Sequence, residues 1–242
     1  MGLKLRIISL WTPEWFQKRG LDELAHQTTS GIEKLLNDQA DADLKSNIPL
    51  KSSKPSKSNI PLKSSKPSKT NMKHYDMVLK GNLDERRKIM AITHNKLVER
   101  MVSTMGREEA IEKGRKAMFN EGLSLGTKFK KILGVGNSFD DLFTAARILY
   151  DVLGIKFSIK EVEEEGENGK IAMVVSHCAL AEYYTPDTCR VLSAADEGVV
   201  QGLNPSVRIK FVKRITEGCF ECLAPINTET ISKKLDGINL GD

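Results

Sequence analysis

Apolar residues recur at spacings of three and four through the first 154 residues and at spacings of two after that, so the sequence predicts helices first and strands afterwards. Leu21, Leu24, Ala25, Thr28, Ile32, Leu35 and Leu36 mark an amphipathic helix over about 20–38, with Trp11, Trp15 and Phe16 just ahead of it. Strong helix formers run from Asp84 to Met105, with Ile89, Ile92, Leu97 and Met101 as apolar markers. After Gly106, the steps between Ile111, Met118, Gly122, Leu125, Phe129 and Ile132 lay one face along a single helix. Gly114, Gly122 and Gly126 lie in or beside that face, each costing about 1 kcal/mol relative to alanine, which predicts close helix packing or the approach of a ligand. Ser138 reads as an N-cap followed by Asp140 and Asp141, the stripe Leu142, Ala145, Ala146, Leu149, Leu153 follows, and Gly154 is the stop.

From Ile155 the period is two: Ile155, Phe157 and Ile159 oppose Lys156, Ser158 and Lys160. Asn168-Gly169 suits a hairpin turn, and Ile171 to Val175 form a second strand that leads into His177-Cys178. A short helical stretch carries Cys189 and Asp196. Val207, Ile209, Phe211 and Val212 then read as a third strand, and Phe220 to Ile226 as a fourth beyond Gly218. The fold class expected is α+β, with N-terminal helices packed on a C-terminal antiparallel sheet of about four strands. The helical part spans 74–154 and the sheet part 155–228 of one domain, followed by a tail over 229–242.

Charge changes this picture in one place. The net charge is +5, but eight lysines and no acid fall between Lys45 and Lys73, so the rest of the chain carries −3. Ser46–Lys57 reads SNIPLKSSKPSK, and Ser58–Lys69 repeats it without a change. Two prolines and four serines per copy offer little apolar area to bury, so 44–73 reads as a disordered basic linker joining a helical arm, 1–43, to the domain. Without aromatic residues to stack on bases, a solvated linker is favoured over an arm for nucleic acid. The arm is expected to pack on the domain; the alternatives are a cover over a ligand pocket or a homodimer contact. No apolar run is long enough to span a membrane, and Met1–Trp15 lacks a secretory pattern, which predicts a cytoplasmic, reducing setting.

In that setting four cysteines point to thiols or metal thiolates rather than disulfides. Cys178, Cys189, Cys219 and Cys222 all fall in the C-terminal half, and only the last pair has the Cys-x2-Cys spacing of a metal knuckle. A zinc ion or an iron–sulfur cluster would need the other two as well. A reactive thiol pair, or simple packing of buried cysteines, are the competing readings. His177 is a candidate ligand or base at a strand end, where a satisfied surface or core histidine is the commoner case. Asp196 and Glu197 are candidate water activators on a helix with Arg190, where a solvated pair is the bland reading. Glu217 and Glu221 flank Cys219 closely, a context that a cation would stabilise. The chain contains no phosphate loop, HExxH or GxSxG motif, and no strand precedes Gly134-Val-Gly-Asn137 to make it a dinucleotide fingerprint.

Glu108 to Ile226 resembles the L-2-amino-thiazoline-4-carboxylic acid hydrolase-like family and, more distantly, four-vinyl-reductase-like small-molecule-binding domains. The resemblance is carried by the helical lead-in Ala110 to Phe129, the hairpin ending in Cys178-Ala-Leu-Ala-Glu182, the run from Asp196 to Gly-Leu-Asn-Pro205, and Glu217-Gly218 followed by Cys222. It implies hydrolysis of a C–N bond that opens a small cyclic amidine to a carbamoyl amino acid. Two positions depart from the family pattern. Ser193 stands where the family has a cysteine, with Cys189 one helical turn earlier on the same face, and Cys219 stands where the family favours an acid. The expected enzyme holds a metal through Cys178, Cys219 and Cys222, with Cys189 as fourth ligand or neighbour, and Asp196 or Glu217 takes a proton from the activated water. The alternative is a non-catalytic small-molecule-binding or sensor module with a structural zinc or iron–sulfur site.

Overall fold

The computed structural model describes residues 3–10, 12–46, 79–164 and 167–228. Trp11, the tail and the basic linker from residue 47 onward lie outside them. Helices α1 (Leu3–Leu10) and α2 (Glu14–Ser46) form the arm, and α2 runs further at both ends than the predicted 20–38, through the first three residues assigned to the linker. Helices α3 (Leu83–Met105), α4 (Arg107–Leu133) and α5 (Phe139–Leu153) follow, close to their predicted bounds. Strands β1 (Ile155–Glu164) and β2 (Glu167–Cys178), helix α6 (Pro186–Leu203), strand β3 (Val207–Ile209), a single 3-10 turn at Ile215–Glu217 and strand β4 (Cys222–Thr228) complete the chain. The sheet has four strands in the order β1-β2-β4-β3, every pair antiparallel, as an α+β chain requires. Among the described residues no helix is long and apolar enough to cross a membrane.

Local chemistry accounts for the helix ends. Asn82 accepts from the Glu85 amide while the Glu85 side chain accepts from the Asn82 amide, a capping box that starts α3. Ser138 caps α5 by accepting from Asp141 N–H, and Gly154 ends it in the left-handed region at φ 69°. Arg87 then donates to the carbonyls of Asp151 and Val152, placing a cation on the C-terminus of α5.

Two departures from the sequence reading are instructive. Val162 pairs with Lys170 and Glu164 with Glu167, so the hairpin pairing runs past the predicted Asn168-Gly169 turn. The register of two long strands outweighs a two-residue turn preference. Helix α6 is no short stretch but eighteen residues, started by Thr185, which accepts from Thr188 N–H, and by Pro186 in its first turn.

The core explains why α6 is fixed in place. A Cβ on Gly122 would overlap the Ala195 carbonyl, and one on Gly198 would overlap the carbonyl of Phe119, so α4 and α6 meet backbone to backbone. The glycines of α4 thus serve helix packing rather than ligand approach. Leu133 is buried while Ile132 is exposed, so the apolar stripe of α4 ends one residue later than its spacing predicts. Arg115 of α4 clasps the buried Glu197 at 2.8 and 2.9 Å, and Glu197 also accepts from the Phe211 amide at 3.1 Å. Glu197 is therefore a buried strut, against its reading as a solvated or water-activating acid; removing one partner of such a pair costs about 3–5 kcal/mol.

Candidate active site

Helix α6 faces a cavity of about 100 Å³ lined from α2, α3, α4, α5, α6, β1, β2, the start of β4 and the loops beside them. Its walls are mostly apolar, with Leu24, Met90, Leu125, Val175 and Phe211 among them. Leu5, Leu21, Leu24 and Ala25 belong to the main core, and Leu24 and Thr28 reach the cavity, so the arm both packs on the domain and closes one side of the cavity.

Asp196 projects into this space from the middle of α6. Burial raises its carboxyl to about 7, and the neighbouring Glu197 charge adds to the rise. Among the described residues it accepts no hydrogen bond. Across from it Tyr150 of α5 is 5% exposed, and its hydroxyl has no hydrogen-bond partner there either. Burial first, then the Asp196 charge, lift that hydroxyl well above the usual tyrosine range, so it remains a donor.

On the α3 wall the polar groups are satisfied. Thr28 donates to the Leu24 carbonyl at 2.8 Å, which leaves its oxygen to accept from His94 Nε2 at 2.9 Å. His94 Nδ1 then accepts from the Tyr184 hydroxyl at 2.8 Å. Burial lowers His94 to about 3, so the ring is neutral. Asn95 donates to the Tyr183 carbonyl and accepts from Thr185 N–H, which fixes the backbone on both sides of Tyr184.

Three of the four predicted cysteines face the cavity. Cys178 ends β2, Cys189 lies in the first turns of α6, and Cys222 opens β4. All are free thiols. Burial pushes Cys178 up to about 12, Cys189 up to about 11, and Cys222 upward as well, although Cys222 accepts from Ile215 N–H at 3.4 Å. Cys219 is half-buried in the loop after the 3-10 turn, outside the cavity lining. Among the described residues no three His, Cys, Asp or Glu side chains converge as a metal-binding group, so the donor set does not fit the expected zinc or cluster.

Glu217 lies away from the lining, accepting from Arg190 Nε and standing 3.6 Å from Arg214. Arg214 does face the cavity, donating to Ser193 Oγ at 3.3 Å and to the Phe211 carbonyl at 3.2 Å. His177 is exposed and pairs with Lys156 at the end of the hairpin. Sequence reasoning missed Tyr150, His94, Tyr184 and Arg214. A signal existed for two of them: His94 sits four after Met90 and three before Leu97 in an apolar stripe, and Tyr150 adjoins the stripe of α5. Both positions put a polar tip among core residues.

Fold and cavity define an α+β protein with a largely apolar cavity between its helices and its sheet, and in the cavity wall a carboxyl, Asp196, without a hydrogen-bond partner among the described residues. Its relationship follows from the chain that builds those walls. The L-2-amino-thiazoline-4-carboxylic acid hydrolase family matches residues 86–224, more than half of the sequence and nearly all of α3 to β4, and the chain belongs to that family. No curated protein matches it. Among solved structures it is similar to a trafficking protein particle complex subunit 3 from Naegleria fowleri covalently bound to palmitic acid, at 14% identity and a TM-score of 0.46, covering 59% of this chain and 95% of that one. It is also similar to the phenol-responsive sensory domain of the transcription activator PoxR with phenol, at 15% identity and a TM-score of 0.44, covering 66% and 82%.

Proposed function

We propose that the chain hydrolyses a C–N bond of a small cyclic amidine or a related substrate held in the cavity, with Asp196 as the general acid and base. The observation that carries this reading is the Asp196 carboxyl, raised to about 7 and without a hydrogen-bond partner among the described residues. A carboxyl near neutrality supplies both protonation states at working pH, the condition for moving a proton in each direction. Its anionic form also complements an amidinium, and the Arg214 guanidinium offers a counter-charge for a substrate carboxylate.

The step balances without an oxidant or reductant. Asp196 takes a proton from water, and the water oxygen bonds to the amidine carbon. The C–N bond then breaks, and both water protons finish on the departing nitrogen, the first by way of Asp196. No step passes through a metal, because the donors do not converge, and the lifted thiols are neutral groups of the wall.

The test is incubation of the purified protein with L-2-amino-thiazoline-4-carboxylic acid, with chromatography to follow ring opening, in parallel with Asp196→Asn. Turnover by the wild type and its loss in the variant is the expected result. The mostly apolar lining favours a second reading, a small-molecule-binding module. Saturable binding of the ring compound with no ring opening would replace the enzyme reading by that one.

A further inference from the structure

A side chamber of about 20 Å³ adjoins the main cavity and shares Leu24, Tyr150, Leu153, Asp196 and Val199 with its lining. Ala146, Leu149 and Val200 complete its lining. Among its lining residues Tyr150 and Asp196 carry the polar side chains; the others are apolar. A single water occupies roughly 10–15 Å³ on this measure and needs at least two polar partners, so the chamber has the size and the partners for one water and too little room for an organic group.

We propose that Tyr150 and Asp196 hold one water in this chamber and that it is the hydrolytic water of the reaction proposed above, on which this inference rests. The Tyr150 hydroxyl, buried and lacking a protein partner, gains one in the water and fixes its position. The Asp196 carboxylate accepts one water proton, and the oxygen lone pair is left facing the main cavity, where the substrate carbon lies. Water is thereby supplied from an apolar recess behind the carboxyl rather than from bulk solvent, so a substrate that fills the main cavity does not displace it. Tyr150 is a positioning residue acting through the water, and Asp196 is the group that moves the proton.

Two variants test the site without disturbing the carboxyl. Tyr150→Phe removes the hydroxyl and keeps the ring, and Ala146→Val fills the chamber from α5. High-resolution crystal structures should show one ordered water within hydrogen-bond distance of both Tyr150 Oη and Asp196 in the wild type and none in either variant. With L-2-amino-thiazoline-4-carboxylic acid as substrate, kcat should fall about 10- to 100-fold in Tyr150→Phe, the size of one lost hydrogen bond in a rate, while KM stays within about twofold. Melting temperatures establish that both variants fold. A chamber without water in the wild type overturns the proposal, and so does an unchanged kcat in both variants. If the water is present but the wild type opens no ring, the hydrolytic role falls with the reaction while the water site stands.

Discussion

Two walls of one cavity carry polar groups with opposite fates. On the α3 wall His94 is bonded through both ring nitrogens, to Thr28 and Tyr184, and burial drives it to about 3. On the α6 wall Asp196 meets no hydrogen-bond partner among the described residues, and burial drives it up to about 7. Burial disfavours charge in both, so the difference lies in the partners. A completed hydrogen-bond network is structure, because it needs nothing more to be stable. An incomplete one in an apolar wall stays available to a ligand, and the helix that carries it is fixed from behind by glycine contacts and by the Arg115–Glu197 clasp.

The largest test breaks the α6 side. Asp196→Asn keeps the shape of the side chain and removes its proton chemistry, so kcat/KM should fall by about 10²–10⁴-fold if the carboxyl is the acid and base. At pH 8 the variant should melt at the same temperature as the wild type or higher, because it no longer buries a carboxylate. A melting temperature well below that of the wild type would make Asp196 a structural partner, as His94 is.

The second test reads both walls through pH. Asp196 has a raised pKa in the folded state, so its contribution is fully present below about 3.8 and is lost as pH rises towards about 7, a change of at most about 4 kcal/mol. His94 has a lowered pKa, so its contribution is fully present above about 6.5 and is lost as pH falls towards about 3. Between about 4 and 6.5 the two slopes oppose each other, and the wild type should show a flat stability profile there. Chemical denaturation across this range should reveal a stability that rises with pH in Asp196→Asn and falls with pH in His94→Phe. Parallel profiles for the two variants would break the comparison.

A smaller effect belongs to the completed wall. Tyr184→Phe leaves His94 Nδ1 without its donor in a buried site, at a cost of about 1–3 kcal/mol measurable by urea unfolding, with catalysis changed only in proportion to any loss of fold.

Which parts of this arrangement were legible in the sequence follows from how local their causes are. Ser138 and Gly154 mark the ends of α5, and the change of period at Ile155 marks the sheet, because caps and side-chain alternation act within a few residues. Asp196 stood out as an acid near cysteines. Its isolation did not, since that depends on Tyr150, Leu24 and Leu153 arriving from two other helices. Glu197 was indistinguishable from Asp196 by sequence, and only the partners Arg115 and Phe211 separate strut from site. Cys178, Cys189 and Cys222 line one cavity, but among the described residues they do not converge as a metal-binding group. Cys219 lies outside that lining because the left-handed Gly218, at φ 87°, turns the chain after the 3-10 turn.

The smallest effect is expected at Glu217, the second acid that the sequence nominated for proton transfer. Its carboxylate is engaged by Arg190 and stands near Arg214; Glu217 and Arg190 lie outside the cavity lining and Arg214 lies in it, so the carboxylate itself does not face a substrate in the cavity. Partly exposed ion pairs of this kind contribute about 0.2–1 kcal/mol. Glu217→Gln should therefore lower stability by no more than that and leave the pH dependence of kcat/KM in place, because the titrating group remains Asp196. The one route by which Glu217 reaches the chemistry is Arg214, whose guanidinium it steadies at the cavity wall. If Arg214 meets a substrate carboxylate, the variant should raise KM by a few-fold with kcat unchanged, a split that separates holding the substrate from moving the proton. A fall in kcat equal to that of Asp196→Asn would instead place the catalytic acid on the loop before β4 and reverse the contrast between the two walls.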